Sequence, residues 1–172
     1  MGSPEETVEL PQVRLRCVGQ RDEEFILKLQ TPEVEGEWDT YDDAPDEKLN
    51  GAYYNGGREI VELPDGTPVG SVSWIQTPHG PNTRSLAWVI GIVLLPHCRG
   101  RGLAAAAQRL LAEKLLEGSK ANRVEASTDV NNLREQRSLS LAGFTDEGIR
   151  RGALWRAGTW HDQVIFSRLR ND

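Results

Sequence analysis

Arg99-Gly100-Arg101-Gly102-Leu103-Ala104 stands between an apolar run that ends at Pro96 and an alanine-rich block. Residues of these types in this order can hold an anion. Gly100 and Gly102 permit positive φ and let the backbone approach a ligand closely. The first amides of a helix starting here lack an intrahelical acceptor, and the helix dipole favours negative charge beside them. Arg99 and Arg101 bring positive charge to the same point. A pyrophosphate is the natural guest; the plain alternative is a strand-to-helix turn whose glycines serve packing. A P-loop is excluded, because no Lys-Ser or Lys-Thr follows the glycines. A dinucleotide fingerprint stays open at this point. Ala105 takes its third glycine position, and Glu125 lies roughly 20 residues on, where such a unit places its ribose-binding acid.

The elements that must position this turn can be read from the pattern. Gln12 to Val18 alternates as a half-buried strand does, and Asp22 opens a helical pattern that Pro32 ends. An irregular helical region is expected through the acidic stretch to Leu49. Arg58 to Leu63 and Val69 to Ile75 read as a hairpin around Pro64-Asp65-Gly66. Leu86 to Leu95 reads as a long buried strand. A helix follows over Arg101 to Glu117, with apolar residues at Leu103, Ala107, Leu110, Leu111 and Leu115. Arg123 to Thr128 is a strand, and Asn131-Asn132 begins a helix that Gly143 closes. Phe144 to Arg150 and Thr159 to Leu169 are the last strands. The order predicts one α/β (α+β) domain with a mixed, mostly antiparallel sheet flanked by helices. We place the domain at residues 12–170 and a flexible N-terminal tail at 1–11.

Composition narrows the partners. The 172 residues suit one soluble domain, with 38% apolar and 27% charged residues and a net charge of −6. No basic patch points to nucleic acid, no apolar run is long enough for a membrane span, and the acidic, polar first residues do not look like a secretory signal. Cys17 and Cys98 lie far apart, which favours a reduced, cytoplasmic chain. Neither they nor the histidines show metal-ligand spacing. Acidic residues from Glu33 to Glu47 crowd one segment, either a solvated face or a mouth that attracts a cationic amine.

The order of elements, with Arg99-x-x-Gly102-x-Ala104 after the fourth strand, resembles the GNAT superfamily of acyl-CoA-dependent N-acyltransferases. Asn132, Ala142-Gly143-Phe144, Glu147-Gly148 and the closing Asp162 to Leu169 are similar to the branch containing ribosomal-protein N-terminal alanine acetyltransferases. The resemblance covers nearly the whole chain and displaces the dinucleotide reading. It implies acetyl-CoA as acyl donor, with no metal. It also implies a sheet splayed between its fourth and fifth strands, where the thioester would sit. Arg99, Gly100, Arg101, Gly102, Leu103 and Ala104 would hold the pyrophosphate. Ile92, Val93 and Leu94 would pair with the pantetheine amides as an added strand does. Asn132 would bond to the pantetheine or a phosphate, its plain role being a helix N-cap. A neutral amine would attack the thioester directly, with a fourth-strand amide stabilising the oxyanion. The acceptor would be a small-molecule or peptide amine, and a homodimer is compatible with the family.

Departures from the family pattern fall on the catalyst. Leu139 takes the position of the tyrosine acid found in many members, and Glu135 takes that of the branch's serine. Glu135 is a candidate acid, with a surface helix residue as its plain reading, and Ser138 is a weaker substitute. The fourth strand carries no carboxylate, so Glu37, Asp39 and Glu59 are candidate bases beside a water relay. These gaps motivate a second class, a non-catalytic acyl-CoA-binding or sensing module. Five tryptophans either pack in the core or line an acceptor pocket. Trp38 is expected on one wall, and Trp155 and Trp160 on the other, in the connection between the last two strands.

Overall fold

The computed structural model describes residues 9–39 and 56–172. Its strands are β1 (Arg14–Cys17), β2 (Gly56–Glu62), β3 (Pro68–Pro78), β4 (Leu86–Leu94), β5 (Arg123–Asp129), β6 (Thr145–Arg156) and β7 (Thr159–Leu169). Its helices are α1 (Glu23–Leu29), α2 (Pro32–Asp39), α3 (Leu103–Glu117) and α4 (Leu133–Leu141). The strands form one seven-stranded sheet in the order β1-β2-β3-β4-β5-β7-β6. Only the β4–β5 pair is parallel. The expected α/β class and mixed sheet are therefore present.

The expected splay is present too. β4 pairs with β3 along its length, from Pro78↔Leu86 to Gly70↔Leu94. Its register with β5 stops after Trp88↔Val124 and Val89↔Glu125. From Ile90 to Leu94 the β5-facing edge of β4 has no strand partner among the described residues.

Burial explains how this frame is held together. Ile60 and Val61 point to opposite faces of β2 and are both fully buried, so both faces are covered there. α3 lies close on the sheet because Ala105, Ala106, Ala107 and Ala112 are buried beside Leu103, Leu111 and Leu115. Leu110 departs from the expected apolar face and is exposed. Gly143 closes α4 at φ 85, with the Phe144 amide donating to the Leu139 carbonyl at 3.0 Å.

Several boundaries moved. Pro32 separates the first helix from the second, and α2 starts at Pro32 itself, where its missing N–H costs nothing. β3 continues to Pro78, beyond the expected end at Ile75, because β4 offers it a full register. β6 continues to Arg156, so the turn between the last strands shrinks to Ala157-Gly158, both at positive φ. Trp155 and Trp160 consequently sit on paired strands rather than in a connection. They face each other across β6 and β7, edge to face, with ring centroids 5.2 Å apart, and both are exposed. Trp88 is core, its Nε1 donating to Ser119 Oγ at 3.0 Å, and the Trp74 ring covers Gly57.

Candidate active site

Pro96–Cys98 turns the chain out of β4, and Arg99–Gly102 carries it into α3. Gly100 and Gly102 both hold positive φ, 73 and 76. Gly102 is also confined, since a Cβ there would lie 3.0 Å from Pro11 Cδ. Gly102 caps α3, so the amides of Leu103, Ala104 and Ala105 precede the first intrahelical bond, which Ala106 donates to the Gly102 carbonyl. The Leu103 side chain turns into the core, leaving its backbone at the turn.

A cavity of about 880 Å³ starts at this turn. It runs along Ile92, Val93 and Leu94 to the face of α4 that carries Asn132, Glu135 and Ser138. That volume suits a ligand of cofactor size. Gly36 closes one side. Glu9, Leu10 and Pro11 close another, so the end of the expected tail lies against the cradle. Arg99, Gly100, Arg101, Gly102 and Ala104 all line the cavity, and the splay, the turn and Asn132 thus share one space.

Polar groups around the cavity divide into braces and free charges. Arg99 donates from Nε to the Leu94 carbonyl at 3.0 Å and from Nη2 to the Val34 carbonyl. It ties the end of β4 to α2. Asn132 caps α4, accepting from the Glu135 amide at 3.3 Å while its Nδ2 donates to Thr128 Oγ1 at 3.0 Å. Arg101, Arg134 and Arg137 also line the cavity, and among the described residues none of the three has a carboxylate partner. Arg134 and Arg137 escaped the sequence reading. Their signal was an i, i+3 pair just after the helix cap.

On α4, Glu135 Oε1 accepts a hydrogen bond from Gln108 Nε2, and Ser138 Oγ donates to Gln108 Oε1 at 2.9 Å. Gln108, from α3, is 1% exposed. It too was missed, as a polar letter on an apolar helix face. Leu139 is fully buried and offers no group to the cavity.

Other candidates lie elsewhere. Glu59 is buried against α3, where Lys114 Nζ donates to it, and it does not line the cavity. Glu125 is bound by Arg123 and lies 2.7 Å from His79 Nε2, which occupies the acid that a dinucleotide site would need. Cys17 and Cys98 are free thiols, and Cys98 is buried in the core. Glu37 and Trp38 belong to α2, but their side chains, and the acidic residues from Asp42 to Glu47, lie outside the described residues. Among the described residues no group of His, Cys, Asp and Glu could hold a metal. No helix there is long and apolar enough to cross a membrane.

A family model described as the Acetyltransferase (GNAT) domain matches residues 12–145, which includes the splay, the turn and α4. The chain belongs to the GNAT acetyltransferase family. It is 28% identical over 174 residues to "Putative ribosomal N-acetyltransferase YdaF" of Bacillus subtilis (strain 168), covering 93% of this chain and 92% of that protein. It is 32% identical over 113 residues to "Probable N-acetyltransferase YjcK" of the same organism. That match covers 66% of this chain but only 61% of YjcK. In fold it is similar to the spermidine N-acetyltransferase of Vibrio cholerae in complex with CoA and spermine. The TM-score is 0.74 at 17% identity, over 93% of this chain and 96% of that one.

Proposed function

We propose that this GNAT protein transfers an acetyl group from acetyl-CoA directly to a primary amine. One observation carries the reading: the unpaired edge of β4 and the glycine turn open into a single cavity. A linear donor with amides at one end and a pyrophosphate at the other needs both features in line. The turn amides and Arg101 would take the pyrophosphate, with Arg134 and Arg137 supplying charge for the remaining phosphate. Ile92 to Leu94 would pair with the pantetheine amides.

The amine nitrogen attacks the thioester carbonyl. A β4 amide donates to the oxygen that gains charge. The carbon–sulfur bond then breaks, the nitrogen loses a proton, and the departing thiolate gains one. Glu135 lies in the wall of this space and Glu37 is the candidate base on the acceptor side. Neither cysteine is needed, since the transfer forms no enzyme-bound intermediate.

The acceptor class is a free amino group of a peptide N-terminus, an amino acid, an aminoacyl conjugate or a small amine. The names of YdaF and of the Vibrio cholerae enzyme support that class. Trp38, Trp155 and Trp160 are proposed to contact it, as aromatic faces that attract an ammonium group. The domain is taken as residues 12–170, in a cytoplasmic protein that either stays single or pairs with a second copy.

An amine panel with acetyl-CoA and detection of free thiol tests the activity. Thiol release above the hydrolysis background, for at least one amine, is the expected result. Isothermal titration with CoA tests the donor. Folded protein that fails to bind millimolar CoA would overturn the reading.

A further inference from the structure

We infer that Gln108 is a positioning residue whose buried amide sets the hydrogen-bonding character of the cavity wall formed by α4. The inference rests on the reading of the cavity as the acyl-donor site. An amide presents a donor at one end and an acceptor at the other. Here Nε2 donates to Glu135 Oε1, and Oε1 accepts from Ser138 Oγ at 2.9 Å. Both bonds cross from α3 to α4, and at 1% exposure Gln108 has no water to replace either partner.

Two consequences follow from this polarity. A carboxyl group that accepts from a buried N–H is favoured in its ionised form. Glu135 is therefore held as a carboxylate, able to take a proton rather than to give one. Ser138 has one O–H, and spending it on Gln108 leaves only lone pairs for the cavity. The α4 wall thus offers acceptors to a ligand's N–H groups and to a newly formed thiol. This reverses the acid role that the sequence suggested for Glu135.

Other charges line the same cavity as Glu135. Arg99 and Arg101 face the cavity from the turn, Arg134 and Arg137 from α4, and Glu9 from the N-terminal segment. Only substitution of Gln108 isolates the amide's part.

The test is a pH titration of the glutamate carboxyl ¹³C resonances in the full chain by NMR, with Glu135→Gln identifying the Glu135 signal. Gln108→Met removes the donor at similar volume and should move the Glu135 midpoint upward. Gln108→Glu puts a second acid in its place and should move it further in the same direction. Turnover with the best amine of the panel should fall at least about tenfold in Gln108→Met, the weight of one hydrogen bond to a charged group. CoA affinity should change much less. A merely structural role would lower the melting temperature without moving the titration.

An unchanged Glu135 midpoint in folded Gln108→Met overturns the inference, as does a wild-type midpoint above that of an ordinary glutamate. If Gln108→Met does not fold, Ser138→Ala serves instead. It frees one end of the amide and should shift the midpoint upward by a smaller step; no shift there also overturns the inference. Failure of the wild type to bind CoA would remove the donor-site reading, while the titration would still decide whether Gln108 holds Glu135.

Discussion

Arg99 Nε donates to the carbonyl oxygen of Leu94 at 3.0 Å, so the first residue of the glycine turn reaches back to the last residue of β4. The same guanidinium also donates to Val34 of α2. One side chain thus joins the three segments that meet at the cradle. The pairing suits arginine, whose planar fork can serve two acceptors at once. Arg99→Ala should lower stability by about 3 kcal/mol in urea unfolding, the low end of the sum for two bonds from a charged donor. CoA affinity by isothermal titration should fall roughly tenfold as the turn loses its brace. Arg99→Lys keeps the charge and can keep only one bond, so it should fall between the two.

Gly102 and Gly100 share a left-handed backbone but differ in their surroundings. A Cβ at Gly100 meets nothing within 4 Å, whereas one at Gly102 lies 3.0 Å from Pro11 Cδ. Gly100→Ala should cost about 1 kcal/mol of backbone strain, and Gly102→Ala more. Gly102→Asp adds an anion where phosphate is expected and should weaken CoA binding at least 100-fold, about 3 kcal/mol or more. Unchanged affinity in a folded Gly102→Asp protein would remove the turn from the donor site.

Arg134 and Arg137 lie near the start of α4, where the helix dipole disfavours cations, and both line the cavity. Arg134→Glu and Arg137→Glu should each weaken CoA binding about tenfold at low salt. The loss should shrink as ionic strength rises and the Debye length falls to a few ångströms. Titrations at two salt concentrations check this, and equal losses at both would contradict a phosphate role.

At the far end of the sheet, Arg123 donates from Nη1 to Glu147 Oε1 at 2.8 Å, and Ser167 Oγ donates to the same oxygen at 2.8 Å. The Arg123 bond foremost, with Ser167 behind it, lowers the Glu147 carboxyl to about 2. A carboxylate depressed in the folded state stabilises above its unfolded value, near 4.3, and loses that contribution as pH falls toward the folded value. Because Glu147 is partly exposed, the contribution at neutral pH should be no more than about 1 kcal/mol. Glu147→Gln should therefore be less stable than the wild type at pH 7, and the gap should close between about pH 4 and pH 2. Urea midpoints at those pH values check it.

Much of the glycine turn and of the α4 caps was legible in single residues. Glycine at 100 and 102 is dictated by local backbone geometry, and Asn132 and Gly143 by the ends of one helix. Such signals need only a few neighbouring residues, so the sequence carries them whole. Gln108 and Arg99 were harder to read, because each is defined by partners at least 27 residues away or on another element. The letters around Gln108 mark a polar residue on an apolar helix face but do not name the α4 partners that its amide bridges. The tryptophans at 155 and 160 were misplaced for a similar reason, since β7 supplied the register that extended β6 through them.

By itself the sequence determined the order of elements, the glycine turn after the fourth strand and the helix caps, all of which follow from local conformational preference and hydrophobic period. Only the tertiary structure decided where β4 parts from β5, that Arg99 is spent on bracing, and that Glu135 and Ser138 meet one buried amide. Strand pairing and side-chain hydrogen bonds across elements depend on the position of distant backbone, and packing alone sets that position.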